Sequence, residues 1–274
     1  MGKNGIHYEP DYNLLNRKAK KSGSADNYGQ SEKLLSRLIP GSTKPDSIKN
    51  NPLLFKKLFD QIAAIKEQID WNQNLSTASY VVFDTETTGV HPFRGDEIIS
   101  IGAVQITSGS INRKDIFYRL VNPRRSIPPT ARRITGISNE TVRNEKQIID
   151  VLLEFLRFCG PRILVAHNAP FDLAFINNKV SEVTGRRVVN PVIDTVLLTS
   201  ALFYSLGDFS LENISSFFKL DLSGRHNALG DALIAAELFL QLLAELKARG
   251  VDTLHQLATF FTDSDLTKGY PLIF

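Results

Sequence analysis

The sequence predicts an α/β domain: a mixed five-stranded sheet flanked by helices, its first strand central, behind a partly disordered helical N-terminal extension. Three observations carry that expectation. Val81-Val82-Phe83 is a short, continuously apolar run of β-branched and aromatic residues, as a buried strand is. Two further strand-like runs, 97–107 and 111–121, are joined only through Ser108-Gly109-Ser110, which implies an antiparallel meander. From Arg162 onward short apolar runs alternate with helical periods, which implies strands added in parallel.

Gly, Ser, Asn and Lys dominate residues 1–30, which read as a disordered arm. A short helix follows over 31–38, ended by Pro40-Gly41. A longer amphipathic helix is expected from Pro52 to Trp71, where Leu54, Leu58, Ile62, Ile65 and Ile69 recur at helical spacing. Residues 1–79 form the extension, and this apolar stripe is expected to serve attachment to a partner while the main domain, 80–249, folds without it. Within that domain the first three strands lead to a Pro- and Arg-rich loop over 122–129 and an amphipathic helix over 148–158, stopped by Gly160-Pro161. Next come a strand over 162–166, a helix over 170–184, a strand over 188–193, a helix after Asp194, another over 210–218 and a long one over 227–246. Residues 250–274 add a last helix over 251–261 and a short tail.

Composition narrows the class. With 42% hydrophobic residues in 274 the chain can bury a sizeable core, and no stretch approaches the roughly 20 apolar residues of a membrane span. The start, Met1-Gly2-Lys3-Asn4, has no apolar signal region. A single cysteine, Cys159, excludes an internal disulfide and fits a reducing compartment, so the expected location is cytoplasmic. The net charge of +3 is too small to indicate nucleic-acid binding, yet it is uneven: residues 1–79 hold 12 Lys+Arg against 8 Asp+Glu, the remainder 20 against 21. A basic arm suits phosphate, and equally a solvated linker.

Chemistry enters where the first strand ends. Asp84 and Glu86 lie two residues apart, so a strand points both carboxylates to one face. Burying them unpaired costs roughly several kcal/mol, so they need protons, basic partners or a cation. Oxygen-only ligands suggest Mg²⁺ or Mn²⁺. On this pair alone, a strand that has simply reached solvent explains the residues equally well. Asp172, in His167-Asn168-Ala169-Pro170-Phe171-Asp172, falls in the first turn of a helix, where an acid is favoured without any catalytic task. Asp231 is more telling, because steps of three and four from it reach Ala235, Leu238 and Leu242: a carboxylate on an apolar stripe wants a partner from elsewhere in the fold. Together the four acids would balance two divalent cations, the arrangement of a two-metal phosphodiester hydrolysis with ions roughly 3.5–4 Å apart. His226, five residues before Asp231 in the preceding loop, suits a proton acceptor at neutral pH.

The segments Phe83-Asp84-Thr85-Glu86-Thr87-Thr88-Gly89, His167-Asn168-Ala169-Pro170-Phe171-Asp172 and His226-Asn227-Ala228-Leu229-Gly230-Asp231 resemble the three motifs of the DEDDh 3′-5′ exonucleases. That superfamily includes the proofreading epsilon subunit of bacterial DNA polymerase III, oligoribonuclease and ribonuclease T, and the similarity runs from about Tyr80 to Leu246. It implies a ribonuclease H-like fold and stepwise release of nucleoside 5′-monophosphates. It places Asp84, Glu86 and Asp231 around one metal, Asp84 also on the second, Asp172 on that ion's water, and His226 as general base. Thr87 and Thr135 match positions that approach the terminal nucleotide, Asn168 a position that often contacts substrate, and Phe171 a position that packs or lines the pocket. Many relatives have histidine where Thr135 stands, whereas proofreading domains of some Gram-positive replicative polymerases have threonine. The expected substrate is a single-stranded or frayed DNA 3′ end; the alternatives are RNA 3′-end trimming and a non-catalytic scaffold subunit. A DNA polymerase subunit is an expected partner, and a sliding clamp another, because Gln256-Leu257-Ala258-Thr259-Phe260-Phe261 is weakly similar to clamp-binding peptides.

Overall fold

Side chains of the first strand, β1 (Ser79–Thr87), point alternately to two faces, and each face has its own core. The computed structural model describes residues 52–66 and 70–262; the expected arm over 1–30, the helix over 31–38 and the tail beyond 262 lie outside the described residues. β2 (Ile98–Thr107) and β3 (Ser110–Leu120) pair antiparallel on one side of β1, and β4 (Ile163–Ala166) and β5 (Val192–Asp194) parallel on the other, giving the order β3-β2-β1-β4-β5. The first strand is central, as its unbroken apolar run requires.

Helices cover both faces. One layer holds α1 (Pro52–Lys66), α4 (Ile148–Cys159) and α5 (Ala169–Thr184), packed on Val81, Phe83, Ile101, Ala103 and Leu164. The other holds α6 (Thr195–Leu202), α7 (Leu211–Phe217), α8 (Ala228–Ala248) and α9 (Leu254–Thr262), packed on Tyr80, Val82, Val104, Ile106 and Val165. Two short helices, α2 (Pro129–Thr135) and α3 (Asn139–Val142), close over Ile99 at the end of the sheet. Among the described residues no helix is long and apolar enough to cross a membrane.

Helix α8 reaches the sheet because the residues between are small. Ala228, Ala232, Ala235 and Ala236 are buried on its inner side. At its first turn it touches β2 at Gly102, where an added Cβ would lie 2.2 Å from the Leu229 nitrogen and 2.3 Å from the Ala228 carbonyl carbon. Gly102 is the residue paired with Asp84 across the strands. The close approach therefore sets the start of α8 directly beside the carboxylate-bearing end of β1.

Four expectations are corrected. The first long helix does not reach Trp71: Asp70 starts a turn in which its carboxylate accepts the Asn72 N–H at 2.9 Å. Its stripe is also not free for a partner, since Leu58, Ile62 and Ile65 are buried, the first two in the core shared with α4 and α5. The strand expected over 188–193 shrinks to Val192–Asp194, because Pro191 lacks an N–H, the Val188 N–H goes to Asn177 Oδ1 at 2.8 Å and the Asn190 amide goes to the Gly160 and Arg162 carbonyls. Segment 256–261 is no free clamp peptide: it is helical, and Leu257 and Phe261 are buried against the α8 layer.

Two substitutions test these packings. Ile62→Ala should lower stability by about 2–4 kcal/mol in urea unfolding, the usual cost of emptying a closed apolar site; an unchanged midpoint would mean that α1 adds nothing to the domain. Gly102→Ala should cost about 1–3 kcal/mol by overpacking and should also weaken divalent-ion binding, as α8 is pushed from β1.

Candidate functional site

Asp84 and Glu86 stand on the α8 side of β1, and Asp231 comes from the first turn of α8. Ligand oxygens of these three residues lie within 4.8 Å of one another. Pairing of β1 with β2 slips by one residue just beyond, between Glu86 and Thr87, so the ladder breaks where the acids emerge. Asp172 arrives from the opposite layer. It meets Thr85, which points away from its neighbours, and its Oδ1 accepts the Thr85 N–H at 2.9 Å and the Thr85 hydroxyl at 2.6 Å. The four expected acids therefore converge on one strand end, three as a cluster and the fourth bound through Thr85.

Crowding shows in their proton affinities. Burial, followed by the charges of Asp172, Asp231 and Glu86, holds Asp84 well above the usual carboxylate range. Burial and then Asp231 and Asp172 push Glu86 up to about 7. Asp172 is pushed to about 7 mainly by burial, against the pull of its Thr85 hydrogen bonds. Asp231 is raised by burial and lowered by Arg225. The donor set fits a hard divalent cation, being carboxylate oxygen throughout. Asp231 Oδ1 is buried 2.6 Å from Arg225 Nη1, so one guanidinium already offsets part of the cluster's charge.

Loop 219–227 carries His226 and Arg225. Gly224 lies against Gly230 so closely that a Cβ on Gly230 would sit 1.9 Å from the Gly224 oxygen, which folds the loop back over the start of α8. His226 takes a left-handed backbone, φ 64°, and donates its N–H to Asp231 Oδ2 at 3.2 Å. The residue is exposed. His167, the other histidine of the motifs, is engaged differently: Nδ1 lies 2.9 Å from Thr195 Oγ1, and burial with the adjacent Arg225 holds the ring down to about 4, so it is neutral at pH 7.

The expected substrate-contact residues divide. Asn168 borders a cavity together with Asp84; its left-handed turn, φ 60°, is pinned by the buried Asp194, which accepts the Asn168 N–H at 3.2 Å while capping α6 through the Val196 N–H. Phe171 is half-buried beside Phe175, ring centroids 5.2 Å apart. The Thr87 hydroxyl is used within its own turn, on the Gly89 carbonyl at 2.6 Å. Thr135 is tied to the end of α2, donating to the Ala131 carbonyl at 3.0 Å and accepting the Ile137 N–H at 3.1 Å. Sequence reasoning missed Thr85, Arg225, Glu212 and Asp194. A basic residue beside the motif histidine was the visible hint for Arg225, whereas Glu212 has no signal without the fold.

Comparison with known proteins identifies the family. The family model described as Exonuclease matches residues 81–239. A DNA polymerase III subunit epsilon-like protein of Rhodobacter capsulatus is 42% identical over 187 residues, 68% of this chain but only 26% of that protein's length. The DNA polymerase III subunit epsilon of Aquifex aeolicus is 35% identical over 180 residues, 66% of this chain and 88% of its own. Among solved structures, exonuclease X in complex with 5′-overhanging duplex DNA superposes with a TM-score of 0.52 at 27% identity, over 66% of this chain and 98% of that one. With Asp84, Glu86, Asp172 and Asp231 gathered at one strand end and His226 tied to Asp231, the chain belongs to the exonuclease family, as a DEDDh 3′-5′ exonuclease domain resembling DNA polymerase III epsilon.

Proposed function

We propose that the domain removes nucleotides from single-stranded or frayed DNA 3′ ends, in proofreading or repair, and that Asp84, Glu86, Asp172 and Asp231 bind two Mg²⁺ or Mn²⁺ ions for that reaction. The observation that carries the proposal is the meeting of three carboxylates within 4.8 Å at the end of a buried strand. DNA is favoured over RNA because the Aquifex relative is named as a DNA polymerase III subunit and the Rhodobacter relative as like one.

Asp84, Glu86 and Asp231 would hold the cluster's cation, and Asp172, braced by Thr85, would serve the second. When bound, the cations supply positive charge to the phosphoryl oxygens as negative charge builds there. The water oxygen bonds to phosphorus, its proton passes to His226, and the bond from phosphorus to the upstream 3′ oxygen breaks, that oxygen taking a proton from solvent. The products are a nucleoside 5′-monophosphate and a strand shortened by one, with a free 3′ hydroxyl. His226 suits proton acceptance because it is exposed while its backbone is tied to Asp231. His167 does not, being half-buried, held down to about 4 and so a weak base, and already bonded to Thr195.

The assay is the purified chain with Mg²⁺ or Mn²⁺ on 5′-labelled DNA and RNA of equal length. A descending ladder on DNA that EDTA abolishes is the expected result; hydrolysis that survives EDTA, or none on DNA, would overturn the reading. His226→Ala should cut turnover by about 10²–10⁴-fold with the melting temperature intact, and added imidazole should restore part of the rate. A variant with wild-type turnover would return His226 to an ordinary loop residue.

Proton competition gives a further check. Glu86 and Asp172 both bind protons more tightly in the metal-free fold than in the unfolded chain, their values rising to about 7 from 4.5 and 3.8. Their contribution to stability is therefore fully present below the unfolded values and is lost as pH rises through about 7. Cations compete for the same oxygens, so Mg²⁺ should raise Tm more at about pH 8 than at about pH 5.5, and Asp84→Asn should flatten the difference. Equal shifts at both pH values would remove the cluster as the binding site.

A further inference from the structure

A cavity of about 400 Å³ opens beside the acid cluster, bordered by Asp84, His167, Asn168, Phe209, Ser210 and Arg225. Asp84 belongs to both, so whatever is held at the cluster continues into this space. We propose that the cavity receives the next nucleotide of the substrate strand on the 5′ side of the scissile bond, with Arg225 binding its internucleotide phosphate and Glu212 holding Arg225 in place. The proposal rests on the exonuclease reading of the cluster and adds to it a second point of contact with the strand.

Arg225 is built for a directional task. Its Nε lies 3.1 Å from Glu212 Oε1, and its Nη2 bonds the same oxygen, so one edge of the guanidinium is clamped from α7. Its Nη1 stands 2.6 Å from Asp231 Oδ1. A guanidinium has five N–H donors in a rigid fork, so a group fixed in this way still presents donors to the cavity that it borders. The side chain is 20% exposed, reachable by a ligand and dry enough for a charge-assisted bond to count.

Charge and shape select the ligand. Of the residues bordering the cavity, His167 is neutral and Arg225 is the one with a positive side chain, so an anion entering this space meets its side-chain partner at Arg225. Phosphate fits a forked donor better than other parts of a nucleotide. The remaining space exceeds what a phosphate needs, and Phe209 offers a ring on which a base can stack without sequence preference. The frame is held by its own contacts: His167 Nδ1 lies 2.9 Å from Thr195 Oγ1, and the contact of Gly224 with Gly230 fixes the loop that carries Arg225.

The rival is that Arg225 only neutralises Asp231. Binding of a 5′-fluorescent single-stranded DNA oligonucleotide by the full chain in Ca²⁺, read by anisotropy, separates the two. One strand is all phosphodiester; a second carries one neutral methylphosphonate at the linkage immediately 5′ of the terminal one; a third carries it four linkages further upstream. Wild type should lose affinity for the second strand by about tenfold or more, the scale of one charge-assisted hydrogen bond, and lose nothing for the third. Arg225→Gln should bind the first and second strands equally, and Glu212→Gln, which keeps the guanidinium but frees it, should discriminate less than wild type. Arg225→Gln that still discriminates as wild type does, or wild type that is indifferent to the neutral linkage, would overturn the proposal. Should Arg225→Gln fail to fold, the Glu212→Gln comparison decides alone, since full discrimination there would also overturn it. Cleavage is scored separately in Mg²⁺, so a chain that discriminates the linkages but never cuts would sink the exonuclease reading and leave the subsite standing.

Discussion

The structure depends on one close approach, the first turn of α8 laid on β2 at Gly102. Backbone meets backbone there with no room for a Cβ, directly across from Asp84. Helix and strand must touch at this point because Asp231 is short: a carboxylate one turn further away would not share a ligand sphere with Asp84 and Glu86. The small inner residues of α8 and the paired glycines 224 and 230 serve the same end, each removing a side chain where the site needs proximity. Packing here is subordinate to the distance between three oxygens.

That proximity is electrostatically expensive. Burial raises the proton affinity of Asp84, Glu86, Asp172 and Asp231, the neighbouring acids add to the rise at Asp84 and Glu86, and Arg225 offsets part of it at Asp84, Glu86 and Asp231. A fold selected for stability alone would separate these acids or replace one with an amide. Their retention at the end of a largely buried strand is the mark of a site whose charge is completed by a ligand. The extensive two-sided core supplies the stability that this strain draws on.

Much of this was legible in the residues. The apolar run before Asp84, the meander and the later alternation of strand and helix specify the sheet order because each signal is local: period, turn residues and connection length. The acid at 231 was visible as a carboxylate on an apolar stripe. What escaped has a physical reason in each case. Helices α2 and α3 are too short for a period and are set by Pro129, Gly136 and the Ser138–Thr141 capping box. The early end of sheet pairing before Val192 follows from side-chain hydrogen bonds to distant backbone. The stripe of α1 shows that a face is buried, but a stripe does not say against what. Arg225, Glu212 and Thr85 are defined by contacts across long sequence separations, which no window of residues contains.

Strand alternation explains why the site needs both layers. Asp84 and Glu86 face α8, and Thr85 between them faces α5, so a single dipeptide step carries the site from one core to the other. Asp172 is anchored to the backbone N–H of Thr85 as well as its hydroxyl, so it tracks the position of the strand itself rather than that of a side chain. Asp231 tracks the same strand from the opposite side through the contact at Gly102. The two helices do not need to touch for their carboxylates to keep register, because β1 is the common reference. Loss of packing in either layer moves one acid relative to a strand that still holds the other two, so the α4–α5 core, remote from any substrate, is as much a condition of the chemistry as the α8 layer that carries Asp231.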